Sequence, residues 1–98
     1  MIKHIVCFKL KDYTPQKAEY AKNLLLTMRG RVPEVRELFA GVDFLHSGRS
    51  YDLILEVTVD DRDALERYQQ DPYHCGTIKP HMHAVQSSSV AVDVELPG

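Results

Sequence analysis

The sequence predicts an α+β domain of ferredoxin-like βαββαβ order, whose four-stranded antiparallel sheet dimerises into an α/β barrel. Three observations lead there. Four separate stretches alternate between apolar and polar residues, and two of them are joined by a short polar turn. Two stretches of helical spacing, each preceded by a capping residue, follow the first and third of those strands. The first and last strands carry apolar groups on both faces, so neither face is built for water alone. The 98 residues are one domain's worth of chain, read as a single unit over 1–98.

The first strand spans Ile2 to Lys11, with His4, Val6, Phe8 and Leu10 on one face and Ile5 and Cys7 on the other. Thr14-Pro15 supplies an N-cap and a proline at the first helical position. Ala18, Ala21, Leu24, Leu25 and Met28 recur at helical spacing, with Arg29 suited to the helix C-terminus and Gly30 to a left-handed stop. A second strand is expected from Glu37 to His46, with Leu38, Ala40, Val42 and Phe44 on one face. A turn at Ser47-Gly48-Arg49-Ser50 leads into a third strand, Tyr51 to Val59, as an antiparallel hairpin. Asp60 is expected to cap the second helix, with Asp63 as its capping-box partner, and Asp71-Pro72 to end it. Residues Tyr73 to Lys79 read as an irregular turn before Pro80. Alternation returns from Ala84 to Leu96: Val90, Val92 and Val94 face one way, Ser87, Ser89, Ala91 and Asp93 the other, and Pro97-Gly98 stops the strand.

Composition narrows the function classes. Twelve basic and 14 acidic residues give a net charge of −2 without a basic block, so no nucleic-acid partner is expected. No stretch has the length of a membrane span, and the N-terminus reads directly into a strand, so a soluble, cytoplasmic protein with no membrane partner is expected. In a reducing compartment Cys7 and Cys75 are expected to stay free.

A second copy follows from the sheet. The two helices of this fold cover one face, and an apolar face of several hundred Å2 is unusual on a soluble monomer. A two-fold partner packed on that face is the simplest cover. At roughly 25 cal/mol per Å2 its burial contributes on the order of 10 kcal/mol before association entropy opposes it. The alternative is a monomer with scattered surface valines.

Several segments together resemble a known family. Lys3-His4-Ile5-Val6-Cys7-Phe8-Lys9-Leu10-Lys11 is similar to the opening strand of the stress-responsive dimeric α/β barrel (Dabb) domain. Ser50-Tyr51-Asp52-Leu53-Ile54-Leu55, Ala64-Leu65-Glu66-Arg67-Tyr68 followed by Asp71-Pro72-Tyr73-His74, and Val92-Asp93 match its later segments in order and spacing. The resemblance covers nearly the whole chain. It implies a barrel with a small pocket and no cofactor; its members include plant stress proteins and a polyketide cyclase, and related barrels include cofactor-independent monooxygenases.

That cyclase uses a strand histidine and a tyrosine and histidine near the end of its second helix, and the resemblance places these roles on His4, Tyr68 and His74. The usual His-Pro-x-His segment reads Asp71-Pro72-Tyr73-His74 here, and Asp71 could hydrogen-bond a nearby imidazole. The residues support the same site independently. His4 shares a face with Val6 and Phe8 beneath the helices, and the small Ser89 and Ala91 leave space beside them; Val6, Phe8, Ser89 and Ala91 are the candidate ligand wall and His4 the candidate base. A histidine there can remove a proton alpha to a carbonyl while the Tyr68 hydroxyl stabilises the enolate. The structural alternatives are a hydrogen-bonded core histidine, a core aromatic at Tyr68, and a bracing role for His74. His74, Cys75, His81 and His83 are metal-capable types, but their spacing is loose, and they read as a solvent loop with no metal. Three functions stay open: a homodimer binding a small organic molecule, in its enzymatic form a cofactor-free lyase or cyclase; a stress-associated structural protein whose function is self-association; and, third, a cofactor-independent monooxygenase, which no set of residues singles out.

Overall fold

A computed structural model describes residues 1–97. The element order is β1 (Ile2–Leu10), α1 (Pro15–Leu26), β2 (Glu37–Val42), β3 (Leu53–Val59), α2 (Arg62–Gln69), a π-helical turn (His74–Ile78), α3 (Lys79–Val85) and β4 (Gln86–Glu95). The strands form one antiparallel sheet in the order β2-β3-β1-β4. The expected βαββαβ order is present, with one more helix than expected. Overall extents of 36 × 29 × 18 Å leave room for two layers only, a sheet and the helices on one side of it.

The core lies between those layers. Ile2, Phe8 and Leu10 of β1 and Leu53, Leu55, Val57 and Val59 of β3 are buried against Ala18, Ala21 and Leu25 of α1 and Ala64 and Tyr68 of α2. The opposite face is uncovered. Val90, Val92, Val94 and Phe39 are 47, 56, 39 and 54% exposed there, with Ile5 and Cys7 paired across from Val92 and Val90. Burial, with Glu56 adding to it, raises the Cys7 thiol's pKa, so it stays protonated; both cysteines are free.

Thr14 caps α1 as expected, its Oγ1 accepting from Lys17 N at 3.1 Å, with Pro15 in the first turn. The helix stops at Leu26, three residues before Arg29, whose guanidinium donates instead to the Leu38 carbonyl at 2.9 Å and ties this end to β2. Gly30 supplies the left-handed turn (φ 78°). The second cap falls one residue later than expected. Asp61 Oδ1 accepts from Ala64 N, while Asp60 is drawn off by a bidentate pair with Arg36 at 2.8 Å; this leaves Asp63 outside any capping box.

The hairpin loop is longer than the four-residue turn in the sequence reading. β2 ends at Val42 because Asp43 turns the chain, its Oδ2 accepting from His46 N at 2.7 Å, with His46 in the left-handed region. Phe44, expected on a strand face, is 89% exposed in this loop. The Ser47–Ser50 turn is present inside it. Asp52, just before β3, is buried, and its Oδ2 accepts from Leu10 N at 2.7 Å. Asp52→Ala removes the acceptor from a buried N–H and is expected to destabilise the fold by about 1–3 kcal/mol, seen as a lower urea midpoint at unchanged slope.

The segment expected to be irregular is helical. Asp71 Oδ1 accepts from both Tyr73 N (2.8 Å) and His74 N (3.1 Å), which starts the turn. Lys79 N reaches back to the His74 carbonyl, the long π-type bond. Pro80 then sits in the first turn of α3, where its missing N–H costs nothing. Asp71 thus serves two backbone amides and no imidazole. β4 ends at Glu95; of its expected Pro97-Gly98 stop, Gly98 lies outside the described residues.

Candidate functional site

A cavity of about 220 Å3 opens between the sheet and the helical layer. β1 contributes His4, Val6 and Phe8, α2 contributes Tyr68, the π-helical turn His74, and β4 Ser89. The expected trio is therefore brought together. Tyr68 stacks on His74 (ring centroids 4.4 Å apart, 25° between planes) and meets His4 edge-on at 5.8 Å. Ala91 pairs with Val6 across the strands but does not line the cavity, because β4 is an edge strand running beyond the cover of the helices. A larger groove, about 440 Å3, lies on the open sheet face between Phe39 and Tyr51 and holds no histidine.

One partner of the site, Asp93, was not among the residues expected there. β1 and β4 pair so that His4 lies directly opposite Asp93, and His4 Nδ1 donates to Asp93 Oδ1 at 2.5 Å. His4 itself is 8% exposed. With Nδ1 taken by the carboxylate, Nε2 has no hydrogen-bond partner among the described residues, on a ring that lines the cavity. The carboxylate fixes the tautomer and stabilises the imidazolium that forms when Nε2 accepts a proton. The signal was available: Asp93 and Ser89 alternate onto the helix side of β4, as His4 does on β1.

His74 has the opposite character. It is buried, its Nδ1 has no partner, and it sits near Lys79. Burial, with the Lys79 charge adding to it, pushes its pKa down to about 4 from the usual 6.5. His74 is thus a neutral imidazole at pH 7 and a weak base. The unfolded chain binds a proton near pH 6.5 that the native ring refuses until about 4. Native stability is therefore complete above pH 6.5 and is lost as the pH falls toward 4, by about 2 kcal/mol after allowance for the ring's open side. His74→Phe is expected to flatten that part of the stability curve, measured by urea unfolding from pH 7 to 4.5.

Tyr68 is fully buried, and burial, reinforced by the Asp71 charge, pushes its phenol well above the usual range. It stays a protonated donor, with only the thioether of Met28 to accept it at 3.7 Å, a weak acceptor.

The metal-capable side chains disperse. His81 packs on Tyr20 at 5.1 Å, Cys75 faces the Gln69 carbonyl, and His83 turns to the cavity mouth. Both histidines lie on α3 and not in a loop. Among the described residues no three His, Cys, Asp or Glu side chains are grouped to hold a metal.

Residues 2–96 match the family model described as Stress responsive A/B Barrel Domain. The chain belongs to the Dabb family. Solved structures carry the same fold. A dimeric ferredoxin-like protein of unknown function from Thermobifida fusca is 26% identical, with a TM-score of 0.84 over 97% of this chain and 90% of its own. A dimeric protein of unknown function from Bacteroides fragilis is 23% identical, with a TM-score of 0.80 over 97% and 95%. Hydroxynitrile lyase from Passiflora edulis is 13% identical, with a TM-score of 0.82 over 98% and 93%. No curated protein matches the sequence. Among the described residues of this Dabb chain, no helix is long and apolar enough to cross a membrane.

Proposed function

We propose that this Dabb protein is a homodimer whose subunits each bind a small organic molecule in the helix-side cavity and act on it as a cofactor-free lyase or cyclase. The observation that carries the reading is the His4–Asp93 pair, with an unpartnered imidazole nitrogen beside an open cavity of about 220 Å3. An open cavity supports chemistry over self-association as the sole function. The dimer rests on the bare apolar sheet face and on the dimeric description of neighbours in this fold.

His4 Nε2 takes a proton alpha to a carbonyl, or from a hydroxyl whose loss leads to carbon–carbon cleavage. The electron pair moves to the substrate oxygen in the first case and expels the leaving group in the second. Neutral His74 and the protonated Tyr68 hydroxyl supply hydrogen bonds to the developing oxyanion. His4, and not His74, is the base, because a ring whose pKa is near 4 holds a proton too weakly at neutral pH. The lyase name of the Passiflora structure is in keeping with proton transfer at an oxygen next to a breaking bond. The test is substrate-independent: small ketones and aldehydes incubated with the protein in D2O, with deuterium entry at the alpha carbon followed by NMR. Exchange above the buffer rate is expected; exchange at the buffer rate for the whole series would remove enolisation from the proposal.

A further inference from the structure

The mouth of the cavity differs from its walls. Its lining holds one lysine, Lys79, and three histidines, His4, His74 and His83, of which His74 is a neutral imidazole. None of the lining residues is an aspartate or glutamate, in a chain with 14 acidic and 12 basic residues. Asp93, the nearby carboxylate, sits behind His4 and is engaged by it.

Helix geometry builds the mouth. Ile78 and Met82 are one turn apart and both buried, forming an apolar wall. Lys79 and His83 are the next such pair, so their side chains rise from neighbouring positions, with Cβ atoms about 5–6 Å apart. Lys79 Nζ has no carboxylate partner among the described residues; its single hydrogen bond is a long one, 3.4 Å, to the Gln69 carbonyl. Burial is the larger cause of the lowered His74 pKa, and the nearby Lys79 charge adds to it. A half-buried ammonium without a counter-ion, at the open end of an apolar cavity, is an incomplete ion pair.

We propose that the cavity takes a small carboxylic acid as its anion, with the carboxylate at Lys79 and His83 and the apolar body against Val6, Phe8, Leu55 and Met82. The inference rests on the reading of this cavity as the ligand site. A volume of about 220 Å3 lies below that of drug-sized sites, so the acid is a short aliphatic or single-ring one. One lysine and one exposed imidazole, with no arginine in the lining, suit a monoanion with two oxygens better than a phosphate. Seated this way, the carboxylate is anchored at the mouth and the chain or ring extends toward His4, which sets the reacting carbon by distance from the acid group.

Matched probes test it. Phenylacetate and phenylacetamide, and hexanoate and hexanamide, are titrated into the 15N-histidine-labelled protein, and affinities are read from the imidazole shifts of His4, His74 and His83. Each acid is expected to bind about tenfold more tightly than its amide, a preference that shrinks in 0.5 M salt. Lys79→Met is expected to bring the acid down to the amide's affinity and leave the amide unchanged; Lys79→Arg is expected to keep the preference. His83→Gln, at an exposed position, provides a second variant with a partial loss. Equal binding of acid and amide to the wild-type protein, or a preference that survives Lys79→Met, would overturn the inference and leave the cavity reading standing. If neither member of either pair moves the three imidazoles, the cavity is not a ligand site for such molecules, and the inference falls with it.

Discussion

His4→Gln is expected to lower the rate of alpha-deuterium exchange by about 10^2–10^4, the usual contribution of a positioned base. Glutamine fits the space but has no titrating nitrogen at the cavity wall. The loss comes without unfolding if Asp93 accepts from the new amide, so the melting temperature is measured beside the rate. Asp93→Asn is the sharper companion. An asparagine that turns its N–H2 to Nδ1 moves the imidazole proton onto Nε2 and removes the base, and one that presents Oδ1 keeps the tautomer but loses the carboxylate's charge. A rate loss in the same range is expected. A substitution that spared the rate at either position would place the base elsewhere in the cavity.

Val92→Asp is expected to convert the protein from a dimer to an 11.2 kDa particle, read by sedimentation velocity at micromolar concentration. Val92 lies on the open face midway along the edge strand β4, cross-strand from Ile5 and flanked by Val90 and Val94. A two-fold interface brings in both copies of the new carboxylate, each desolvated without a partner, and that outweighs the apolar burial that holds the subunits together. The isolated subunit tolerates the change, because Val92 is more than half exposed in it (56%) and contributes little to the subunit's own core. The folded subunit therefore persists, with its sheet intact by circular dichroism. A wild-type protein that already sediments at the monomer mass would contradict the proposed assembly.

The parts of this structure that were legible in the sequence rest on periodicity. Alternation in β1 places His4, Val6 and Phe8 beneath the helices, and the valines of β4 mark the bare face. Spacing also put Tyr68 and His74 near one another. The missed features are those that periodicity does not encode. Strand register is one: Asp93 meets His4 only in one alignment of β1 with β4, two strands that no turn joins, and the register shifts between Lys9 and Leu10. The π-helical turn and α3 are another, since Gly76 and Pro80 punctuate the segment as a loop and no simple repeat describes five-residue hydrogen bonding. The competition between neighbouring acids is a third. Asp60 and Asp61 are equivalent caps in sequence, and Arg36, distant along the chain, decides between them. Ala91 belongs to the same class, because its alternation is right but the helical layer does not extend over the edge strand.

The direct test of the proton-transfer site needs no substrate. Long-range 1H–15N NMR of histidine-labelled protein at pH 8 reads which nitrogen of each neutral imidazole holds the proton. The account predicts that His4 carries its proton on Nδ1, toward Asp93, and leaves Nε2 bare at the cavity wall. His4 found with its proton on Nε2 would contradict it, since the ring would then have no lone pair facing the space where a substrate must sit.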